Sequence, residues 1–199
     1  ISGGKDSVYQ LHILVNVYGM KPLAVTFSHN WYSETGEYNL QNALKEFSVD
    51  HLLFTPNRDL VNRIAKKSIS AIGDACWHCH AGIGAFALQA AVGFKIPLLI
   101  WGESIAETSG RASYKNLVHT FDRDYFTKVS AKRTPSEMVC EEISEKDLHP
   151  FNPPSVDDIE KAGVWGLHLG DYIFWDEERQ TEFIVDKFGW KETEMEGHI

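Results

Sequence analysis

Cysteine is scarce in this chain, three among 199 residues, and only Cys76 and Cys79 stand near one another. So few thiols argue against a disulfide-stapled fold and suit a reducing cytoplasm. No apolar run approaches eighteen residues, so no membrane span is expected. Basic residues are in the minority, 19 Lys and Arg against 28 Asp and Glu, and the formal charge of -9 repels polyanions in general. Without an evident basic cluster, a broad nucleic-acid surface is disfavoured, although a small anion can still be held locally. The phosphate loop GxxxxGK followed by Ser or Thr is missing. So is any clear Ser-His-Asp or Cys-His arrangement for a side-chain nucleophile. Internal repeats and low-complexity tracts are also lacking.

What is present is the composition of an ordinary globular protein, 43% hydrophobic and 24% charged, over a length that suits one domain with a small appendage at most. Apolar residues at helical spacing from Asp6 to Tyr18, with Gly19 as a stop, predict an amphipathic helix. PLAVTF (Pro22 to Phe27) predicts a strand, and Leu40, Ala43, Leu44 and Phe47 mark a second helix. HLLFT from His51 reads as a strand, Leu60 to Ile72 and Gly82 to Val92 as helices, and IPLLIW from Ile96 as a buried strand. This alternation implies an α/β fold, a parallel sheet with helices on both faces, because parallel strands need crossover connections. The stretch from 119 to 158 mixes charge with proline and reads as loops and short helices rather than a second sheet. Asp176 to Phe188 reads as a closing helix with Asp176 as N-cap and Gly189 as stop. The boundary is placed at 118, with residues 1–118 as the α/β domain and 119–199 as a mostly helical extension packed on it.

Four segments carry candidate chemistry. In SGGKDS, Gly3 and Gly4 allow a tight turn that points backbone N–H groups at a phosphate, and the following helix adds its positive N-terminal end. Ser2 and Ser7 bring hydroxyls, Lys5 brings positive charge, and Asp6 can help hold a magnesium ion or cap the helix. A loop of this kind should follow a strand, and only Ile1 precedes it. The first strand is therefore expected to lie outside this sequence, and the ending EMEGHI suggests the same for the tail. In CWHCH, Cys76 and Cys79 are spaced to reach one metal ion, with His78, His80 or Cys140 as further candidate ligands. A packed helix-start pair and a redox or sulfur-carrying pair stay open beside that reading. In WGES, which follows the third strand, Gly102 permits close approach, Glu103 can bind magnesium or a substrate donor, and Ser104 offers a hydroxyl. Arg111 in ETSGRAS is a candidate oxyanion clamp. Gly82-Ile83-Gly84 lacks the rest of a dinucleotide fingerprint and reads as packing. His12 and the aromatic run VWGLHLGDYIFW (Val164 to Trp175) read as structure, the aromatic run as a core or domain contact.

At SGGKDS the chain resembles the PP-loop ATP pyrophosphatases of the adenine nucleotide alpha hydrolase-like superfamily, whose signature SGGxDS is matched in full. The resemblance covers about the first hundred residues. It implies an ATP and Mg2+ requirement, cleavage between the α and β phosphates, and adenine contacts from the end of the PLAVTF strand, here Thr26, Phe27 and Ser28. SGGKDS, CWHCH, WGES and GDYIFWDEERQTEFI together resemble the N-acetyl sugar amidotransferases of bacterial surface-polysaccharide biosynthesis. That family implies adenylylation of the amide oxygen of an N-acetyl group on a nucleotide-linked sugar, followed by displacement of AMP by ammonia to leave an acetamidino group. It also implies a glutaminase partner with a cyclase-like scaffold as the ammonia source. Lys5, Asp6, Glu103 and Arg111 are the catalytic candidates, and Cys76 with Cys79 would hold zinc in preference to an iron–sulfur cluster. The alternative is a PP-loop tRNA sulfurtransferase of the 2-thiocytidine type, which uses a CxxC pair placed much like Cys76 and Cys79. The acidic charge counts against it.

Overall fold

A computed structural model describes residues 1–101 and 131–193. Five of the strand and helix assignments follow from simple local chemistry. The apolar runs form β1 (Leu23–Phe27) and β2 (Asp50–Phe54), which pair in parallel from Leu23 opposite Asp50 to Phe27 opposite Phe54. Between them runs α2 (Glu34–Glu46), started by Ser33, whose hydroxyl oxygen accepts from Gly36 N. Helix α1 (Lys5–His12) precedes β1 and continues as a wider π-type turn, Ile13–Val17, before Gly19 releases the chain. Helix α3 (Arg58–Ile72) starts at Asn57, whose side chain accepts from Leu60 N.

Helix α4 (Trp77–Phe94) begins five residues earlier than the apolar periodicity of Gly82 to Val92 implied. It is apolar nearly all round, and it packs against β1, α3 and β3 (Leu98–Trp101), so it is a buried helix rather than an amphipathic cover. Its close approach to β1 depends on Gly82, where an added Cβ would fall 2.2 Å from the ring of Phe27. That ring cannot give way cheaply, because it is held between Phe54 and Phe151 at centroid distances of 5.6 Å each. The Gly-Ile-Gly segment is thus a packing device. Gly82→Ala is expected to cost about 1–3 kcal/mol of stability by overpacking. A urea-denaturation midpoint unchanged from the wild type would contradict this contact.

The C-terminal part supplies an element that the sequence reading missed. Trp165–His168 forms β4, which pairs in parallel with β3 from Leu98 opposite Trp165 to Trp101 opposite His168. Among the described residues the strands therefore form two parallel pairs, β1 with β2 and β3 with β4, rather than one continuous sheet. The architecture is mixed α/β, with helices crossing between parallel strands. Before β4 comes α5 (Val156–Ala162), capped by Ser155, and after it comes α6 (Glu177–Phe188), capped by Asp176. Helix α6 packs on α1 and α2, burying Ile184 and Trp190 with Val8, Leu11, Ala43 and Phe47. A second core gathers Phe27, Ile64, Trp77, Met138, Leu148 and Phe151. Among the described residues no helix is long and apolar enough to cross a membrane.

The aromatic run 164–175 is less buried than its composition implied. Trp165 and Tyr172 are nearly half exposed, Phe174 is mostly exposed, and Trp175 packs edge-on against Tyr9. His12 packs against Phe183 and Phe188 between α1 and α6, in keeping with a structural role.

Candidate functional site

The SGGKDS segment turns at the carboxyl edge of β1. Ile1 runs beside that strand: its main-chain N donates to Val25 O (2.5 Å), and Thr26 Oγ1 donates to Ile1 O (2.6 Å). Having given its proton to Ile1, the Thr26 hydroxyl accepts from His51 Nε2 at 2.9 Å. The buried Thr26 side chain is thereby used to tie strand to loop. Phe27 turns its ring into the core, so its main chain is what it can offer a ligand. Ser28 is buried as well; its N donates to Phe54 O and its hydroxyl oxygen accepts from Asn30 N.

Gly3 adopts φ +84°, the left-handed region that side chains resist, and a Cβ there would lie 2.6 Å from Leu40 N and 2.8 Å from its Cα. The loop is seated directly on the α2 backbone, which leaves no room for any residue but glycine. Gly4 is the N-cap of α1, with no side-chain cap hydrogen bond, and the first-turn N–H groups stand at the positive end of the helix. The Ser2 hydroxyl oxygen accepts from Gly4 N at 3.2 Å, and the buried Ser7 hydroxyl donates to Gly4 O at 2.9 Å. Ser2 and Gly4 face outward, whereas Ser7 supports the loop from within.

Lys5 stands at the same end. Its Nζ lies 2.9 Å from Asp6 Oδ1 and 3.1 Å from Glu177 Oε1. Behind the loop, Trp190 Nε1 donates to Gly3 O at 2.9 Å, a buried bond that spans 187 residues of sequence. The segment that carries Trp190 is itself clasped by α2. Asn39 exchanges two bonds with the Lys191 main chain (2.8 and 2.9 Å), and Asn42 Nδ2 donates to Phe188 O at 2.6 Å. Glu177, Trp190, Asn39 and Asn42 were not among the residues the sequence pointed to. Their importance arises from contacts between distant segments, which leave no local signature.

CWHCH forms the start of α4. Cys76 is the N-cap residue, and its N donates to Asp74 Oδ1 at 2.7 Å. Burial, then the Asp74 carboxylate, push the Cys76 thiol above its ordinary pKa, which works against the thiolate that metal binding needs. His78 is fully buried, with Nδ1 3.3 Å from Ala75 O and Nε2 3.5 Å from His29 O, and Trp31 stands edge-on to its ring. Burial holds it below the usual imidazole range despite those carbonyls. It is a core histidine whose ring is occupied. Among the described residues no three His, Cys, Asp or Glu side chains come together as a metal site. Two thiols are half of a tetrahedral zinc site, so the described residues alone do not fit that ion. Asp6 and Glu177, by contrast, are hard oxygen donors of the type magnesium prefers.

No family model matches the chain, and no curated protein matches it either. CWHCH touches the loop after β1 through His29 and Trp31, so it and SGGKDS both stand at the carboxyl edge of that strand, where open α/β folds bind ligands. Gly102, Glu103, Ser104 and Arg111 lie outside the described residues.

Proposed function

We propose that the chain is an ATP-dependent enzyme of the PP-loop type whose SGGKDS turn holds the β and γ phosphates, and whose substrate is an N-acetylated, nucleotide-linked sugar. The observation that carries the reading is the seat of Gly3. A backbone forced to φ +84° against Leu40 leads straight into a helix N-terminus capped by a second glycine, which sets first-turn N–H groups and Lys5 at one place. Those groups are the donors a pyrophosphate needs.

The reaction that fits is activation of an amide. The amide oxygen of the acetyl group attacks the α-phosphorus and pyrophosphate leaves. Ammonia then adds to the same carbon, the carbon–oxygen bond breaks, and AMP departs with the former amide oxygen, leaving C=NH after loss of protons. No side-chain nucleophile is required. Within this scheme the N–H groups of the α1 first turn and Lys5 hold the departing pyrophosphate. A magnesium ion, when bound, would be held by Asp6 with the phosphates and would neutralise charge on them. The protein's contribution is alignment and electrostatic stabilisation. A glutaminase partner with a cyclase-like scaffold would supply the ammonia.

The test combines ATP, magnesium, ammonium and a panel of nucleotide-linked N-acetylated sugars, one carrying 18O in the acetyl carbonyl. The expected result is AMP and pyrophosphate with a single sugar, and 18O in the AMP. ADP and phosphate as products would contradict the phosphate-loop reading. Thiolation of tRNA on addition of sulfide, with no sugar turned over, would favour the sulfurtransferase alternative. Lys5→Ala should weaken magnesium pyrophosphate binding by about ten- to a hundredfold, the worth of a charge-assisted hydrogen bond. Titration calorimetry checks this, and an unchanged Kd would remove Lys5 from the site.

A further inference from the structure

We propose that His29 is a binding residue for the sugar substrate, a fixed neutral N–H donor to one of its hydroxyl or carbonyl oxygens. The inference rests on the proposed function and names a side chain for the substrate half of that site. Trp31 N donates to His29 Nδ1 at 3.0 Å. A ring nitrogen that accepts a backbone N–H carries no proton of its own, so the proton of the neutral ring sits on Nε2. Among the described residues no hydrogen-bond partner meets Nε2, and the ring is only partly buried. Burial also holds His29 below the usual imidazole range, in keeping with a neutral ring. Such a ring is poorly suited to a phosphate, which calls for a cation. It is no better suited to acid–base work, because a proton gained at Nδ1 breaks the bond to Trp31. What it can serve is an uncharged acceptor.

The segment around His29 is held in one shape. Asn30 takes a left-handed φ of +68°, uncommon for a residue with a side chain, and two bonds pin it there: its N donates to Ser28 Oγ at 3.1 Å and its Nδ2 to Pro56 O at 3.0 Å. The segment also bridges the two motifs. The Tyr32 ring lies 4.4 Å from that of His29 and rests on the first turn of α2, with Cδ1 3.7 Å from the place a Cβ would take on Gly36. Leu40, which seats Gly3, is one helical turn farther along the same face, about 5.4 Å away. On the other side, His29 O and the Trp31 ring meet His78 of α4. His29 thus stands between the phosphate turn and CWHCH. A substrate whose acetyl oxygen must reach the α-phosphorus has its sugar ring in that space. The sugar supplies uncharged oxygens for His29 and an apolar C–H face for the exposed Trp31 and the partly buried Tyr32.

Two measurements test the assignment. The first is 15N NMR of the imidazole nitrogens in the whole chain at pH 7, which should show His29 protonated at Nε2 and bare at Nδ1; a proton on Nδ1 overturns the fixed donor. The second is calorimetry of UDP-N-acetylglucosamine, UDP and MgATP with the wild type and His29→Phe. Phenylalanine keeps a flat ring against Tyr32 and removes the donor. The wild type is expected to bind UDP-N-acetylglucosamine more tightly than UDP, and the variant should lose about five- to tenfold for the sugar nucleotide, the worth of one neutral hydrogen bond, with MgATP within twofold. An unchanged affinity for the sugar nucleotide overturns the role of His29. So does a loss confined to MgATP, or one equal for both ligands, which would make His29 part of the nucleotide's seat or of the loop's folding. A wild type that binds MgATP but gains nothing from the sugar overturns the sugar reading and this inference, while the phosphate loop stands. A wild type that binds the sugar nucleotide and not MgATP overturns the loop reading alone, and the phenylalanine variant still decides His29.

Discussion

Gly3→Ala is expected to lower stability by about 2–4 kcal/mol, since it combines a left-handed conformation with contact against backbone. The methyl group would meet Leu40 N at 2.6 Å and Leu40 Cα at 2.8 Å. Those atoms belong to the interior of a helix and cannot rotate away as a side-chain tip would. The loop must lift off α2, and its first-turn N–H groups lose their common direction. Magnesium pyrophosphate affinity should therefore fall by more than tenfold even where the variant is fully folded. Gly4→Ala is the informative partner. Its Cβ would lie 3.3 Å from Ser2 Oγ, an atom on a rotatable side chain, and Gly4 sits at an ordinary φ of -67°. Its cost in stability should be under about 1 kcal/mol. Urea denaturation and calorimetry on the two variants check the contrast, and equal losses would mean that the α2 backbone is not what shapes the turn.

Trp190→Ala should cost about 3–5 kcal/mol, as truncation of a large buried aromatic does. Trp190→Phe separates packing from hydrogen bonding. It keeps most of the apolar volume beside Val8, Leu11 and Ile184 but removes the donor to Gly3 O, leaving a buried carbonyl unpaired at about 1–3 kcal/mol. Because that carbonyl belongs to the loop, the phenylalanine variant should also bind magnesium pyrophosphate more weakly. Phe188→Leu, in the neighbouring part of the same cluster, serves as the comparison: a similar loss of stability with no change in affinity. An affinity loss that merely tracks stability across these variants would reduce Trp190 to a core residue.

How much of this was legible in the sequence depends on the range of the interaction. The strands β1, β2 and β3 were visible because each is a short apolar run, and the caps Asp176 and Gly189 were visible because capping is local chemistry. SGGKDS announced a tight turn before a helix through its two glycines. Three things were hidden. The start of α4 was obscured because CWHCH has no apolar period, although Trp77 and His78 are both fully buried. The strand β4 is only four residues, WGLH, with a glycine inside, and its alternation of exposed and buried positions is too brief to stand out. The contacts of Glu177 and Trp190 with the loop join residues some 170 or more positions apart, and nothing local marks either residue. Asn39 and Asn42 likewise resemble solvent-facing helix residues until the end of α6 is placed against them. The candidate site was thus half readable. The loop is written in its own sequence, and its supports come from tertiary packing.

The measurement that bears most directly on the central claim is a backbone amide NMR titration of the whole chain with magnesium pyrophosphate. The account predicts saturable binding with the largest amide shifts at Gly3, Gly4, Lys5, Asp6 and Ser7, and a smaller response at Glu177 and Trp190. Shifts centred elsewhere, such as the open groove lined by Pro135, Val139, Lys146 and His149, or no saturable shift at all, would contradict it.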